Sequence, residues 1–301
     1  MSDGEDDELE EKVPGLSEEV MYDRADDSEE PKEPTDSEKP EEASDLTLNG
    51  QSEKEAARTK EAEETASHGH TPVTLNVVHP KKRDFFHYAG LVIGAFLIFS
   101  IGSVCIHRFV PVPITVLMIE RLLQGNGLDH RWVGGSQISD NLRVAVIASE
   151  DAKFCTHDGF DYEAIQKAEK YNATHRKKRG ASTISQQTAK NVFLWPDRSW
   201  VRKGFEVYYT FLIEHLWPKE RIMTVYLNSI EWAPGVYGAE AASQHWFHHS
   251  ANSLSTAEAA QLAAILPNPI KRKARPNKRS GHIQAAARQV DNQGLDVCAE
   301  D

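Results

Sequence analysis

From Phe85 to Ile106 the chain runs for 22 residues without a Lys, Arg, Asp or Glu. No other feature constrains the fold as strongly. A helix needs about 20 apolar residues to cross a hydrocarbon core, and this run is apolar on all faces, unlike the core helix of a soluble domain. Phe85, Phe86 and Tyr88 stand at one end, as interfacial aromatics do. Lys81, Lys82 and Arg83 precede the run, and only His107 and Arg108 follow it. The basic side predicts an N-terminus in the cytoplasm and a body on the far side. A cleaved signal peptide fits poorly, because the run lies after about 80 residues and lacks a small-residue cleavage site.

The two flanks differ in kind. The 301-residue chain has a formal charge of −12, yet residues 1–80 hold 25 acids against 7 bases, and the remainder is net basic by 6. Glu, Asp, Ser, Pro and Lys dominate the first segment, with no helical or alternating pattern. It cannot bury enough apolar area to offset an ordering cost of roughly 1–2 kcal/mol per residue. A disordered tail is predicted there, either a solvated spacer or a protein-docking segment. The organisation expected is a tail over 1–80, a membrane helix over 84–107, a folded domain over 110–285 and a C-terminal tail over 286–301. Cys105, Cys155 and Cys298 are too few and too scattered for a disulfide framework or a metal knuckle. His68, His70, His248 and His249 read as incidental rather than metal-binding. The basic run at 271–279 suits anionic lipid or solvent, not nucleic acid.

The body reads as mostly α. Helices are predicted over 114–124 and 141–152, and from Pro218, which suits a first helical position. Ser255 and Glu258 form a capping box ahead of a further helix that Pro267 stops. No run of alternating β-branched residues predicts a strand.

Three polar sets stand at helical spacing. Glu150, Phe154 and His157 would line one face if their helix continues, with Asp151 beside it and Gly159 at the turn. Thr183, Gln187 and Lys190 would form a second stripe, and Arg202 and Glu206 a third, with Lys203 adjacent. Each set alone reads as a solvated face or a surface ion pair of little worth. Together they offer a carboxylate base, a histidine and three cations able to hold phosphate oxygens.

At these residues the chain resembles the peptidoglycan glycosyltransferase family, the domain shared by bifunctional penicillin-binding proteins and monofunctional biosynthetic transglycosylases. The family's E-D-x-x-F-x-x-H-x-G is matched at Glu150, Asp151, Phe154, His157 and Gly159, and a second motif runs from Gly180 to Asn191. R-K-x-x-E is Arg202, Lys203 and Glu206. Lys219, Ile222, Tyr226, Leu227 and Asn228 match a fourth motif, and Gly235, Tyr237 and Gly238 a fifth. The resemblance covers about residues 114–270 and is greatest to the monofunctional proteobacterial branch at 230–247, with no room expected for a transpeptidase domain. Two departures stand out. Met223 and Thr224 replace the Leu and Glu usual in the fourth motif, and the acidic tail is unusually long.

The resemblance implies a lysozyme-like helical domain that polymerises lipid II into β-1,4-linked glycan, inverting the donor's anomeric carbon and releasing undecaprenyl diphosphate. It implies Glu150 as general base, and Lys190, Arg202 and Lys203 as cations for the diphosphate. Glu206 is the family's second acid, holding the diphosphate through a divalent ion (Mg or Mn) or orienting the basic residues. Thr183 and Gln187 would bind phosphate or sugar, while Asp151, Phe154 and His157 shape the base's surroundings. The implied partners are lipid II, lipid-linked glycan, membrane lipid and division or elongation proteins. The implied location is the bacterial inner membrane, single-pass, with a periplasmic catalytic domain. Two other readings fit parts of the pattern. A lytic hydrolase could use one Glu in a helical domain but has no need of the cations. A weakly active membrane scaffold would suit the tail and Thr224.

Overall fold

The computed structural model describes residues 82–197 and 199–299; the acidic tail expected over 1–80 lies outside them. The uncharged run lies within α1 (Lys82–His107), and Phe85–His107 is long and apolar enough, at mean hydropathy 2.4, to cross a membrane. Among the described residues, those up to Gly94 and those from Ala95 on belong to separate compact units. Within the second unit the end of α1 meets the body through Phe96 against Phe205 at 5.7 Å, through Ser100 and Tyr208 hydroxyls 2.8 Å apart, and through Trp217 Nε1 donating to Val104 O at 2.8 Å.

The body is helical, as its sequence predicts: α2 (Val116–Leu123), α3 (Asp140–Glu150), α4 (Tyr162–Thr174), α5 (Ile184–Phe193), α6 (Trp200–Leu216), α7 (Lys219–Ser229), α8 (Ala239–Phe247), α9 (Thr256–Ile265) and α10 (Lys278–Gln293). The centre is α3. Leu142 to Glu150 are all buried, Arg143 and Glu150 among them, which explains an unbroken apolar run over Val144–Ala148 rather than a stripe. It packs against α9 and α10, while α5 packs against α6 and α7. The Ser255–Glu258 capping box opens α9 as read from the sequence. Pro218 caps α7 rather than entering it. Met223 and Thr224, the two departures, lie in the stretch Ile222–Ser229, which is buried throughout.

Strands do occur, contrary to expectation. β1 (Asp129–His130) pairs parallel with β3 (Val236–Tyr237), and β2 (Glu231–Ala233) pairs antiparallel with β3. Two or three residues are too few to display alternation. Gly235 turns the hairpin at φ +72°, where a Cβ would come within 2.2 Å of Asn126 O, so only glycine fits.

The cysteines also depart from the sequence reading. Cys155 and Cys298 form a disulfide across a separation of 143 residues. It joins the turn after α3 to a 3-10 segment, Val297–Ala299, that packs on α7. Where a C-terminal tail is predicted over 286–301, the described residues 286–299 hold the second half of α10 and this fastened segment.

Candidate functional site

Glu150 is the last residue of α3, so the most buried helix of the body delivers a carboxylate to the end of the core. The helix does not continue. Asp151 leaves the helical region at φ −163°, ψ 76°, and residues 152–159 form turns. Glu150, Phe154 and His157 therefore do not share a helical face, as the spacing predicted. The cause is tertiary. Asp151 Oδ2 accepts from Ile184 N at 3.0 Å, satisfying a free amide at the start of α5. Its two oxygens also meet His157 Nε2 at 2.9 and 3.1 Å. Gly159 N donates to His157 Nδ1 at 3.1 Å, so Nδ1 is the acceptor and the ring proton sits on Nε2, facing Asp151. Phe154 is fully buried. Both ring positions and Asp151 thus serve to hold the turn beside Glu150.

The second set divides in the same way. Thr183 is the N-cap of α5 rather than a member of it: its hydroxyl accepts from Gln186 N and donates to Gly159 O at 2.7 Å. That hydroxyl's proton is committed inside the protein, so Thr183 joins the two motifs to each other. Gln187 lies on α5, and its Nε2 donates to Glu150 Oε2 at 2.9 Å. Its oxygen accepts from Tyr226 OH at 3.3 Å, which fixes the amide's orientation. Lys190 follows on the same helix, exposed.

The third set is as spaced. On α6, Arg202 Nη1 donates to Glu206 Oε2 at 2.7 Å, and Lys203 Nζ reaches Oε1. Glu206 is 3% exposed. The resemblance also makes Glu206 the expected metal ligand. Both its oxygens face protein cations, a poor donor set for a divalent ion, which would meet two positive charges before the carboxylate. Among the described residues, no group of three or more His, Cys, Asp or Glu is placed to hold a metal. Glu206 holds Arg202 and Lys203 side by side.

Glu150, Gln187, Lys190, Arg202, Lys203 and Glu206 line one cleft of about 410 Å³, closed on one side by Leu266 and Pro267. Lys178, from the loop before α5, adds a further cation. A smaller hollow shares Glu150, Gly180 and Ser182 with it and is walled by Lys153, Lys167 and Arg179. Hydrogen bonds from Lys153 and then Lys167 hold Glu163 down to about 2. Arg179 stacks on the Tyr171 ring at 3.5 Å, and Asn172 grips its backbone from both sides. Sequence reasoning passed over these cations. The available signal was the run Arg176–Arg179 just ahead of the second motif. Glu150 is thus the carboxylate common to the two hollows, beside bases in each.

The chain matches the transglycosylase family model over residues 118–293. It is similar to a biosynthetic peptidoglycan transglycosylase of Caulobacter vibrioides, 53% identical over 216 residues that span 69% of this chain and 94% of the relative. A protein of the same description from Bdellovibrio bacteriovorus is 51% identical, over 65% of this chain and 80% of its own. One from Bacteroides thetaiotaomicron is 52% identical, over 63% and 79%.

Proposed function

This chain belongs to the transglycosylase family and is a peptidoglycan glycosyltransferase, and from that premise we propose that it polymerises lipid II, with Glu150 as general base. The observation that carries the reading is the position of Glu150, buried at the wall shared by a cation-lined cleft and a second hollow lined by both acids and bases. Joining two lipid-linked sugars brings two diphosphates to one base. The donor's diphosphate leaves, so it takes the denser set, Lys190, Arg202 and Lys203, where developing negative charge is stabilised most. The acceptor's diphosphate does not change charge and takes the second hollow, beside Arg179.

Glu150 removes the proton from the acceptor's 4-hydroxyl as that oxygen attacks the donor's anomeric carbon. The new C–O bond forms on the face opposite the breaking C–O bond to the diphosphate, so an α donor gives a β product. The diphosphate leaves with the bonding electrons and needs cations rather than a protein acid. Gln187 aims the base, and Glu206 holds Arg202 and Lys203 at their spacing.

The apolar α1 supports a single-pass anchor, and the Cys155–Cys298 bridge supports a body outside the cytoplasm, since disulfides persist in oxidising compartments. The inner membrane, with the N-terminus cytoplasmic, is the location that fits both. Glu150→Gln is the test. It should abolish glycan formation from lipid II while the melting curve stays that of the wild type; turnover at the wild-type rate would remove Glu150 from the mechanism. Running the wild type with and without a chelator decides the question of the ion, and cleavage of preformed glycan in place of polymerisation would favour a lytic enzyme.

A further inference from the structure

We infer that the buried Glu214–Lys219 ion pair is a positioning device for the base, a role that rests on the polymerase reading above. Neither residue takes part in the chemistry described. Glu214 is near the end of α6 and Lys219 opens α7, with side chains 4% and 18% exposed. Two charges so far withdrawn from water are costly unless their partners are complete.

The partners tie three segments of the site together. Lys219 Nζ donates to Glu214 Oε1 at 2.9 Å and to His157 O at 2.7 Å, and it lies 4.6 Å over the Phe154 ring. Glu214 Oε1 also accepts from Ser185 Oγ on α5. The turn after α3 packs against the same side chain: a Cβ on Gly159, at φ +89°, would come within 2.8 Å of Glu214 Cγ.

From this pair two routes lead to Glu150. Along one, His157 holds Asp151, the residue next to the base. Along the other, Ser185 stands two residues before Gln187, whose amide holds Glu150 Oε2. The pair therefore sets the separation of the two elements that aim the carboxylate. An apolar pair of the same volume would fill the space but would donate nothing to His157 O.

The experiment is lipid II polymerisation by the full-length protein in detergent, with kcat and KM separated. Affinity for a phosphoglycolipid mimic of the donor diphosphate and the melting temperature are measured alongside. The variants are Glu214→Gln, Lys219→Met, Lys219→Arg and the charge-neutral Glu214→Gln/Lys219→Met, which leaves no lone buried charge. A misaimed base should lower kcat by on the order of 100-fold in Lys219→Met and in the double variant, with KM and mimic affinity unchanged. Lys219→Arg, which can still donate to both oxygens, should recover most of the rate. A folded double variant turning over at the wild-type rate overturns the proposal. So does a loss of kcat, mimic affinity and melting temperature in parallel, the mark of a merely structural pair. A wild type that makes no glycan would instead overturn the polymerase reading, and this inference with it.

Discussion

Gln187 Nε2 donates to Glu150 Oε2 at 2.9 Å, and Tyr226 OH holds the other end of the same amide at 3.3 Å. A hydrogen bond to a charged group is worth about 1.5–3 kcal/mol, and here it also fixes the direction of the carboxylate. Gln187→Ala should therefore lower kcat by about 10–100-fold, with KM for lipid II little changed. Tyr226→Phe, which frees the amide without removing it, should cost less. Steady-state rates on lipid II for both variants decide the order.

Arg202 and Lys203 share Glu206 but are not equivalent. The Arg202 side chain is 12% exposed and Lys203 is 40% exposed. A guanidinium offers several fixed donors where an ammonium offers a mobile charge. Arg202→Ala should weaken binding of a phosphoglycolipid diphosphate mimic by about tenfold or more, Arg202→Lys by less, and Lys203→Ala by least. Titration calorimetry with the mimic checks the ranking, and equal losses would mean that Glu206 does not order the two cations.

Gly159 and Gly204 make opposite predictions for the same substitution. At Gly159 the backbone is at φ +89° and a Cβ would meet Glu214 Cγ and Thr210 Cγ2, each at 2.8 Å. Gly159→Ala should destabilise by about 1–3 kcal/mol and slow the enzyme through the turn that holds Asp151. Gly204 is exposed within α6, with nothing within 4 Å of an added Cβ. Gly204→Ala should stabilise by about 0.5–1 kcal/mol. Denaturant melts of the two variants test the contrast directly.

These pairs also mark what can be read in a sequence of this kind. Arg202 and Glu206 meet as their spacing predicts, because an i,i+4 contact depends only on the helix that carries it. Glu150 was legible as the end of a buried run. The continuation past it was not, because Asp151 leaves the helix to satisfy Ile184 N, 33 residues on, and that demand exists only in the folded chain. Thr183 has the chemistry of a phosphate ligand and the position of a cap, and only its bond to Gly159 O decides between them. Lys153, Lys167 and Arg179 reach the site from three different segments, and Cys298 reaches Cys155 across almost the whole domain. Of these, only Arg179 has a local signal, the basic run that it ends.

His249 and Glu258 pair at 3.0 Å across the junction of α8 and α9. The hydrogen bond to Glu258, then that to Ser250 O, raises His249 above its ordinary value. Burial pushes Glu258 up, but hydrogen bonds from Ser255 and His249 outweigh it and hold it low. A raised histidine contributes fully below its unfolded value of about 6.5 and loses that contribution as pH rises through its folded value. The depressed carboxylate contributes above its unfolded value of about 4.3 and loses it in acid. The pair thus stabilises most between roughly pH 5 and 6.5. The His249 side chain is a third exposed, which keeps the effect below about 1 kcal/mol. The melting-temperature difference between wild type and His249→Gln should be larger at pH 6 than at pH 8.

The Cys155–Cys298 bridge closes a loop of 143 residues around nearly the whole catalytic body. A native bridge of this kind contributes about 2–5 kcal/mol, largely by restricting the unfolded chain. Its two ends are not equivalent in consequence. Cys298 holds a short 3-10 segment against α7, whereas Cys155 lies in the turn that carries Phe154 and His157, four residues after Asp151. Reduction should therefore lower stability and also loosen the turn that aims Glu150. Thiol titration of unfolded protein should find one free group, Cys105, before reduction and three after it. Reductant should lower the denaturant midpoint and the polymerisation rate of the wild type, and Cys298→Ser should match the reduced wild type and ignore reductant. A rate that holds while the midpoint falls would confine the bridge to stability and detach the C-terminal segment from the site.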